Sequence, residues 1–554
     1  MESVGFPSQG DLLKFFYNAT GIIPAKGEDI LDITISSKSV HKALTRVAEE
    51  EGCNFLENFN QYSEELFSSI SALVLQKKFK DILINPIIEI FNGYLKLILT
   101  EHACLDKKQN IENLIERFMI NIAQACFPAE IYYKYILDKS YPEAPNLFTW
   151  LKDSEKTPFI HAMNWIYSSE EMTYQAFHQL DNDLDQNDKD LINVKNWLAG
   201  KVQLPSTSQI LSTFHRAFKN QKLNTKLIDT YTFFLLIARF LTYCKNAMSS
   251  TYGPSYTSRY VDLFIQAYSA VKRDFFILLG EIPFKDINSM SIEEKEFLFE
   301  GLFIYNIEIF NKNFLEMQKK FTIKQMLELW IPKDQPYHAA TIHIHRYLGL
   351  TKKTEEIMAS FKVNIGNIFH AYDLIKGDRS DYDVWLNEYK SIKNDEIYPW
   401  LKNWIDAVIY YKQKQYVQAL ENMRKAFKYI RYAAADKMIE FLEFYMILSL
   451  LVEDKAGWKD FKKAFKWGVF INQFGGDLKP FYNINNEIDI RKLFEEKITQ
   501  ITLFGNVKDL KSLANLVFHW EYSYSEPKRI AISEQVELEP EKRGFWSRFF
   551  KPYG

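Results

Sequence analysis

The sequence predicts an all-α fold: a helical-repeat array in the C-terminal half, preceded by an irregular helical N-terminal region. Three observations carry this. Only 20 Gly and 17 Pro punctuate 554 residues, and helices need fewer breakers per residue than sheets. Apolar residues recur at three- and four-residue steps over long stretches, the spacing that gathers them on one helix face. Strict alternation is confined to 341–345, Thr-Ile-His-Ile-His, which is too short to outweigh its helical surroundings.

Composition sets outer limits. Hydrophobic residues make up 47% and aromatics 16%, enough to give about two to four domains a proper core. With 68 basic and 71 acidic residues the net charge is −3. That excludes a global nucleic-acid footprint and leaves room for a local patch. Cys53, Cys104, Cys126 and Cys244 are too scattered for paired metal ligands or a dense disulfide framework. Buried thiols in a reducing cytosol are expected. The first fifteen residues lack a basic start and an apolar run, so no signal peptide and a cytoplasmic location are expected. The apolar runs 231–242 and 444–452 are too short or charge-interrupted to span a bilayer, so they predict buried helices and no integral membrane segment. The rich Lys, Ile, Asn and Phe usage suggests a bacterial chain.

Taken in order, residues 1–30 read as irregular, with Pro7 and Pro24. From 39 to 125 the pattern is helical. Leu56, Phe59, Tyr62, Leu66, Ile70 and Leu73 line one face, and Pro86 should kink or divide the next helix, 79–100. Helix 110–125 follows, with breaks at Pro128, 141–145 and Pro158. An acidic run, 181–190, precedes 191–220. A long apolar helix covers 224–247, and the turn-rich 249–258 reads as a linker. After a break at 280–290, Ser291 followed by Glu294 predicts a capping box and a helix start. Helix pairs then dominate. Helices 436–452 and 456–470 are followed by a Gly-Gly turn at 475–476, Pro480, and helices 489–500 and 507–518. These features divide the chain into 1–150, a helical module over 151–248, a repeat region over 259–525, and a charged, aromatic tail, 526–554.

The clearest helix pair is 400–430. Ala407, Tyr410 and Tyr411 lie on its first helix; Tyr416, Ala419, Leu420, Met423, Ala426 and Phe427 lie on its second. A lone pair cannot bury its apolar face and needs stacked neighbours. The pattern resembles the tetratricopeptide repeat, a 34-residue helix–turn–helix with small residues where Ala407, Ala419 and Ala426 stand and an aromatic where Tyr410 stands. Asn403 replaces the usual Trp, with Trp404 one place late, and Arg431 replaces the usual Pro. Tyr382 and Tyr416 are one repeat apart, each early in a second helix. The resemblance implies a groove for a protein or peptide. Gln418, Asn422 and Lys425, the polar positions between the buried alanines, are the candidate partner contacts.

The stretch 191–218 resembles the later half of a repressor-type helix–turn–helix in Ile192, Val194, Trp197, Gly200, Lys201, Pro205, Ile210 and Leu211. Trp197 would anchor a recognition helix, Gly200 would end it in the left-handed conformation, and Pro205 and Ser206 would start the next helix. The first two helices of the motif would have to come from 157–187. Lys195, Lys201, Arg216 and Lys219 are the candidate nucleic-acid contacts.

No phosphate loop, nucleophile elbow or zinc-protease helix is present in the sequence. His338, His343 and His345, with His370, could ligate a metal only if a turn gathered them. Asp383, Glu388 and Lys390 echo a nuclease pattern but stand in a helix. Cys104 has His102 two residues away, which on a helix faces a different side. No catalytic residue, cofactor or metal is therefore expected. The leading reading is a non-enzymatic helical-repeat protein that binds a protein or peptide. A second is a ligand- or peptide-sensing regulator with a DNA-binding helix–turn–helix. A third is an effector of a bacterial conflict or phage-defence system whose catalytic motif is unreadable.

Overall fold

The computed structural model of the chain describes residues 4–22, 55–75, 77–114, 145–179, 184–200, 204–262, 348–376, 382–392, 397–452, 455–470 and 486–492, with isolated positions between them. These residues are overwhelmingly helical and form no strand. Two isolated antiparallel bridges, Val4 with Asp106 and His102 with Ala434, are the extended pairings among them. The protein is all-α.

The N-terminus is more ordered than its prolines suggest. Instead of an irregular segment, α1 spans Gln9–Thr20. Ser8 and Asp11 form a capping box, with Asp11 N–H donating to Ser8 Oγ at 3.1 Å and Ser8 N–H to Asp11 Oδ2 at 2.9 Å. Gly21, at φ +66°, ends the helix. The signals were local, a serine three residues before an aspartate and a trailing glycine, and the neighbouring prolines masked them. Residues ahead of α1 are pinned across the fold. Gly5 N–H donates to Leu105 O at 3.0 Å and Phe6 N–H to Tyr432 O at 2.7 Å, while Asn110 Nδ2 donates to Gly5 O at 3.0 Å.

Helix α2 (Phe55–Leu73) buries Leu66 and Ile70, with Tyr62 and Leu73 partly buried against them, as the periodicity predicts. Of the two expectations at Pro86, a kink or a division, division does not occur: helix α3 (Lys77–Thr100) runs through it. The proline costs about 3 kcal/mol in a helix interior. Ile84, Ile87, Phe91, Tyr94 and Ile98 are all buried on either side of it, each worth about 1.5–3 kcal/mol, so continuity wins.

The middle of the chain holds α4 (Leu147–Lys152), α5 (Pro158–Ser169), α6 (Tyr174–His178), α7 (Leu184–Leu198), α8 (Thr207–Asn220) and α9 (Thr225–Tyr252). Pro158 begins α5 rather than merely breaking the chain, with Thr157 as its N-cap. Helix α9 is longer than the sequence suggests. At 28 residues it is long and apolar enough to cross a membrane by length and composition, but 83% of its most apolar window is buried inside the protein. It packs against α1, α5 and α8. The expected linker at 249–258 is likewise structured. Helix α9 continues to Tyr252, Gly253 breaks it, and 254–262 are helical again. Tyr256 and Tyr260 in that stretch are buried; aromatic packing overrides the turn-forming residues around them.

The C-terminal helices are α10 (Thr351–Lys376), α11 (Tyr382–Ser391), α12 (Pro399–Lys412), α13 (Tyr416–Ile430), α14 (Met438–Leu451) and α15 (Lys455–Phe470). Helix α12 packs extensively on α13, α13 on α14, and α14 on α15. Helix α14 is buried on every side from Met438 to Leu450, as an all-round apolar helix must be. Farther upstream the capping box is present: Ser291 N–H donates to Glu294 Oε2 at 2.8 Å and Glu294 N–H to Ser291 Oγ at 3.2 Å. His345, the last residue of the alternating run, is helical. The rest of that run, residues 115–144, the turn at 475–480, residues 507–518 and the tail 526–554 lie outside the described residues.

The join between α1 and the middle helices is made by a buried arginine. Arg239 of α9 is buried and donates Nε to Pro205 O at 2.6 Å and Nη1 to Asn18 O at 3.0 Å and Ala19 O at 2.5 Å. A Cβ on Gly21 would lie 2.1 Å from Arg239 Cζ. Gly21→Ala is therefore expected to cost about 2–4 kcal/mol, from the left-handed backbone and the displaced charged hydrogen bonds. Gly93→Ala, where a Cβ meets nothing within 4 Å, should be neutral or stabilising by about 0.5–1 kcal/mol. Denaturant melts of the two variants check this pair.

Candidate functional site

The pair α12–α13 closes through a tight turn. Lys414 adopts φ +62°, and Gln415 N–H donates to Tyr410 O at 2.9 Å. Ala407, Ala419 and Ala426 are each 0% exposed, which lets the helix backbones approach. Around them Trp404 meets Phe441 edge-on at 5.8 Å, Tyr411 meets Phe444 at 5.5 Å, and Phe427 meets Tyr445 at 5.2 Å. Arg431, standing where the repeat usually has proline, holds its guanidinium 4.7 Å from the Phe427 ring centre and 5.2 Å from that of Trp467. It continues the core instead of ending it.

Of the candidate partner residues, Gln418 and Lys425 are exposed and Asn422 is half-buried. Asn422 Nδ2 donates back to Gln418 O at 3.0 Å. Lys425 faces an open groove between α13 and α15, with Tyr445 of α14 among its lining residues; Gln418 and Asn422 do not line it. The groove's other cations, Lys428, Lys459 and Lys463, escaped sequence reasoning. Their signal was the lysine-rich run Lys455–Lys466, but nothing local said which helix it would face. Arg424 and Asp460 tie the walls together, with Nε 2.5 Å from Oδ2.

The helices expected ahead of 191–218 are present as α5 and α6. Trp197 is 7% exposed and meets Phe159 of α5 edge-on at 6.1 Å. Gly200 adopts φ +63° and donates to Trp197 O at 3.1 Å, a left-handed helix end. Ser206 is the N-cap of α8, in a capping box with Gln209, so Pro205 precedes the helix and does not enter its first turn. Ile192 is 59% exposed. Lys195 and Lys219 are exposed; Lys201 lies outside the described residues. Arg216 is half-buried and already paired with a carboxylate. Its Nε lies 2.7 Å from Asp190 Oδ2 and its Nη2 2.6 Å from Oδ1. Asp190 is 1% exposed, and a buried carboxylate needs such a partner.

Behind α6 and α8 the core is aromatic. Tyr167, Phe177, His178 and Phe214 surround one another, and His178 Nε2 sits 3.0 Å from Tyr167 Oη. Burial pushes His178 down to about 4, while Asp190 pulls up and Arg216 pulls down. His345 is buried against Tyr252 and Tyr256, and burial lowers it to about 4 as well. His338 and His343 lie outside the described residues. Among the described residues no group of three His, Cys, Asp or Glu is placed to hold a metal ion. Asp383, Glu388 and Lys390 are exposed on α11. Cys104 and Cys244 are buried free thiols, and burial raises both above the usual thiol range. Cys53 and Cys126 lie outside the described residues.

Compared with protein-family models, with curated proteins and with solved structures, the chain finds no match in any of the three.

Two outcomes follow from this geometry. Ala419→Leu should overpack the α12–α13 seam and cost about 1–3 kcal/mol, whereas Lys425→Ala should stay within about 0.5 kcal/mol; thermal unfolding of both reads the difference. His178 is neutral in the fold down to about pH 4, while in the unfolded chain it protonates near 6.5. Stability is therefore full above that pH and falls as pH drops through the window between. The loss is at most about 1.4 kcal/mol per pH unit for this group. His178→Gln should flatten the acid limb of a stability–pH curve by that slope.

Proposed function

We propose that the protein is a non-enzymatic, cytoplasmic helical-repeat scaffold that holds a protein or peptide partner in the groove between α13 and α15. The observation that carries this reading is the groove itself: two helices standing as walls over a helix buried on all sides. Further support comes from the 34-residue offset between Tyr382 and Tyr416, which begin α11 and α13. The three buried alanines stand where the tetratricopeptide pattern has small residues. Stacked helix pairs expose a concave surface as a by-product of burying their common core.

A second reading is a regulator that touches DNA through 191–220. What favours it is the order of α5, α6, α7 and α8 around Trp197 and the left-handed Gly200 between the last two. What weakens it is charge. Arg216 is committed to Asp190, and Asp185 and Asp188 are exposed on α7 beside Lys189 and Lys195, so the face carries both signs where phosphate contact needs one.

Ala456 is an exposed groove residue, and Ala456→Trp would fill the space without touching the core. In affinity capture from the native host, this variant should lose the groove partner by about tenfold or more, equivalent to roughly 1.4 kcal/mol. Lys219→Ala should retain it. Identical captured sets from wild type and Ala456→Trp would sink the groove reading.

A further inference from the structure

We infer that the occupant of the α13–α15 groove is an acidic peptide segment of a partner protein, its carboxylates held by Lys425 on one wall and Lys459 on the other. This rests on the groove reading above and names the chemistry of the partner. The chain as a whole carries net charge −3, yet α15 concentrates cations. Lys455, Lys459, Lys462, Lys463 and Lys466 fall at steps of four, three, one and three, which places them within a narrow arc of a helix with 3.6 residues per turn. The opposite arc is core: Trp458, Phe461, Ala464 and Phe465 are buried. Lys459 and Lys463 reach the groove from α15, and Lys425 and Lys428 reach it from α13. The buried Asp460 is matched by Arg424, so it does not oppose an incoming anion. Glu421 is the other carboxylate lining the groove.

The shape selects a peptide over other polyanions. The part of α15 that lines the groove runs from Ala456 to Lys463, so that wall is roughly 11 Å long at about 1.5 Å per residue. An extended chain of about three residues, at about 3.4 Å each, spans it. Single-stranded nucleic acid gains its affinity by stacking on open aromatic faces, whereas the groove's rings, Phe427 and Tyr445, are 2% and 1% exposed. Duplex DNA is read by an element that protrudes into its groove, and this surface is concave. The apolar surface that does open on the groove, Ala456 and the lysine stems, suits an aliphatic side chain placed between carboxylates.

The test is fluorescence anisotropy on the full chain. The probe is a labelled peptide of repeated Glu-Leu-Glu; its Gln-for-Glu counterpart, a single-stranded oligo-dT and phosphatidylserine vesicles are the comparisons. The acidic peptide should bind and weaken as salt rises. Lys425→Glu together with Lys459→Glu should weaken it at least about tenfold with an unchanged melting profile, since both lysines are exposed. A Lys-Leu-Lys peptide should then bind the double variant better than wild type. Equal binding of the Gln peptide, no effect of the double substitution, or tighter binding of oligo-dT or vesicles would overturn the inference. So would a partner captured from the host that is lost on Ala456→Trp yet kept by the double lysine variant. That last result would leave the groove reading standing and remove only its acidic chemistry.

Discussion

The described fold turns on how the last carbonyls of α1 are satisfied. A helix end leaves four acceptors without intrahelical donors, and here each has one. Gly21 N–H serves Tyr17, Arg239 serves Asn18 and Ala19, and Thr207 Oγ1 serves Thr20 at 2.5 Å. The same guanidinium reaches Pro205 O, and Thr207 N–H donates to Gly21 O at 2.8 Å. One buried cation therefore joins the end of α1, the entry to α8 and the middle of α9. No carboxylate is needed, because the negative end of a helix dipole and three carbonyls share the charge. Burial lowers the Arg239 pKa to about 10, which leaves it charged at neutral pH. At the other end of α1, Gly5 and Phe6 bind Leu105 and Tyr432, so a single twelve-residue helix links regions hundreds of positions apart. Contacts of α1 thus cross the boundary that composition places near residue 150.

The groove follows from a second constraint. Helix α14 has no polar face to offer water. Glu440 and Glu443 are themselves buried, and Lys437 Nζ lies 3.6 Å from Glu440 Oε1. It must be covered on all sides, and α12, α13 and α15 supply the cover. Helices α13 and α15 are each amphipathic, so their polar sides meet solvent on either side of the line where α14 lies beneath. The Arg424–Asp460 pair fixes their separation at one point. A buried carboxylate left without its partner is costly, so this pair also resists slippage of α15 along α13. The groove is then a consequence of packing, with lysines on both rims.

The middle helices use the same device for another purpose. Asp190 and Arg216 join α7 to α8 by a two-point contact, with Trp197 and Phe159 closing the adjacent corner. An arginine that reads as a phosphate ligand in one dimension is a structural strut in three. Distance along the chain does not show this, because the aspartate that claims it belongs to a run in which Asp185 and Asp188 are exposed.

Local chemistry made much of this legible. Three- and four-residue periodicity marks α2, α12 and α13, and a long apolar run marks α9. The Ser291–Glu294 capping box and the left-handed Gly200 are short-range patterns with short-range causes, and the burial of Ala407, Ala419 and Ala426 follows from small residues at helical spacing. The sequence by itself determined the fold class, the seam of α12 and α13, and the exposure of Lys425. Tertiary structure decided the rest. Continuity through Pro86 depends on what Ile84, Ile87 and Phe91 meet, and the order of 249–262 depends on partners for Tyr256 and Tyr260. Arg239 finds two of its three acceptors more than two hundred residues away, and Lys425 finds Lys459 across a groove that neither helix encodes. Periodicity is a property of one segment, whereas the satisfaction of a buried charge or carbonyl is a property of whichever segments happen to converge on it.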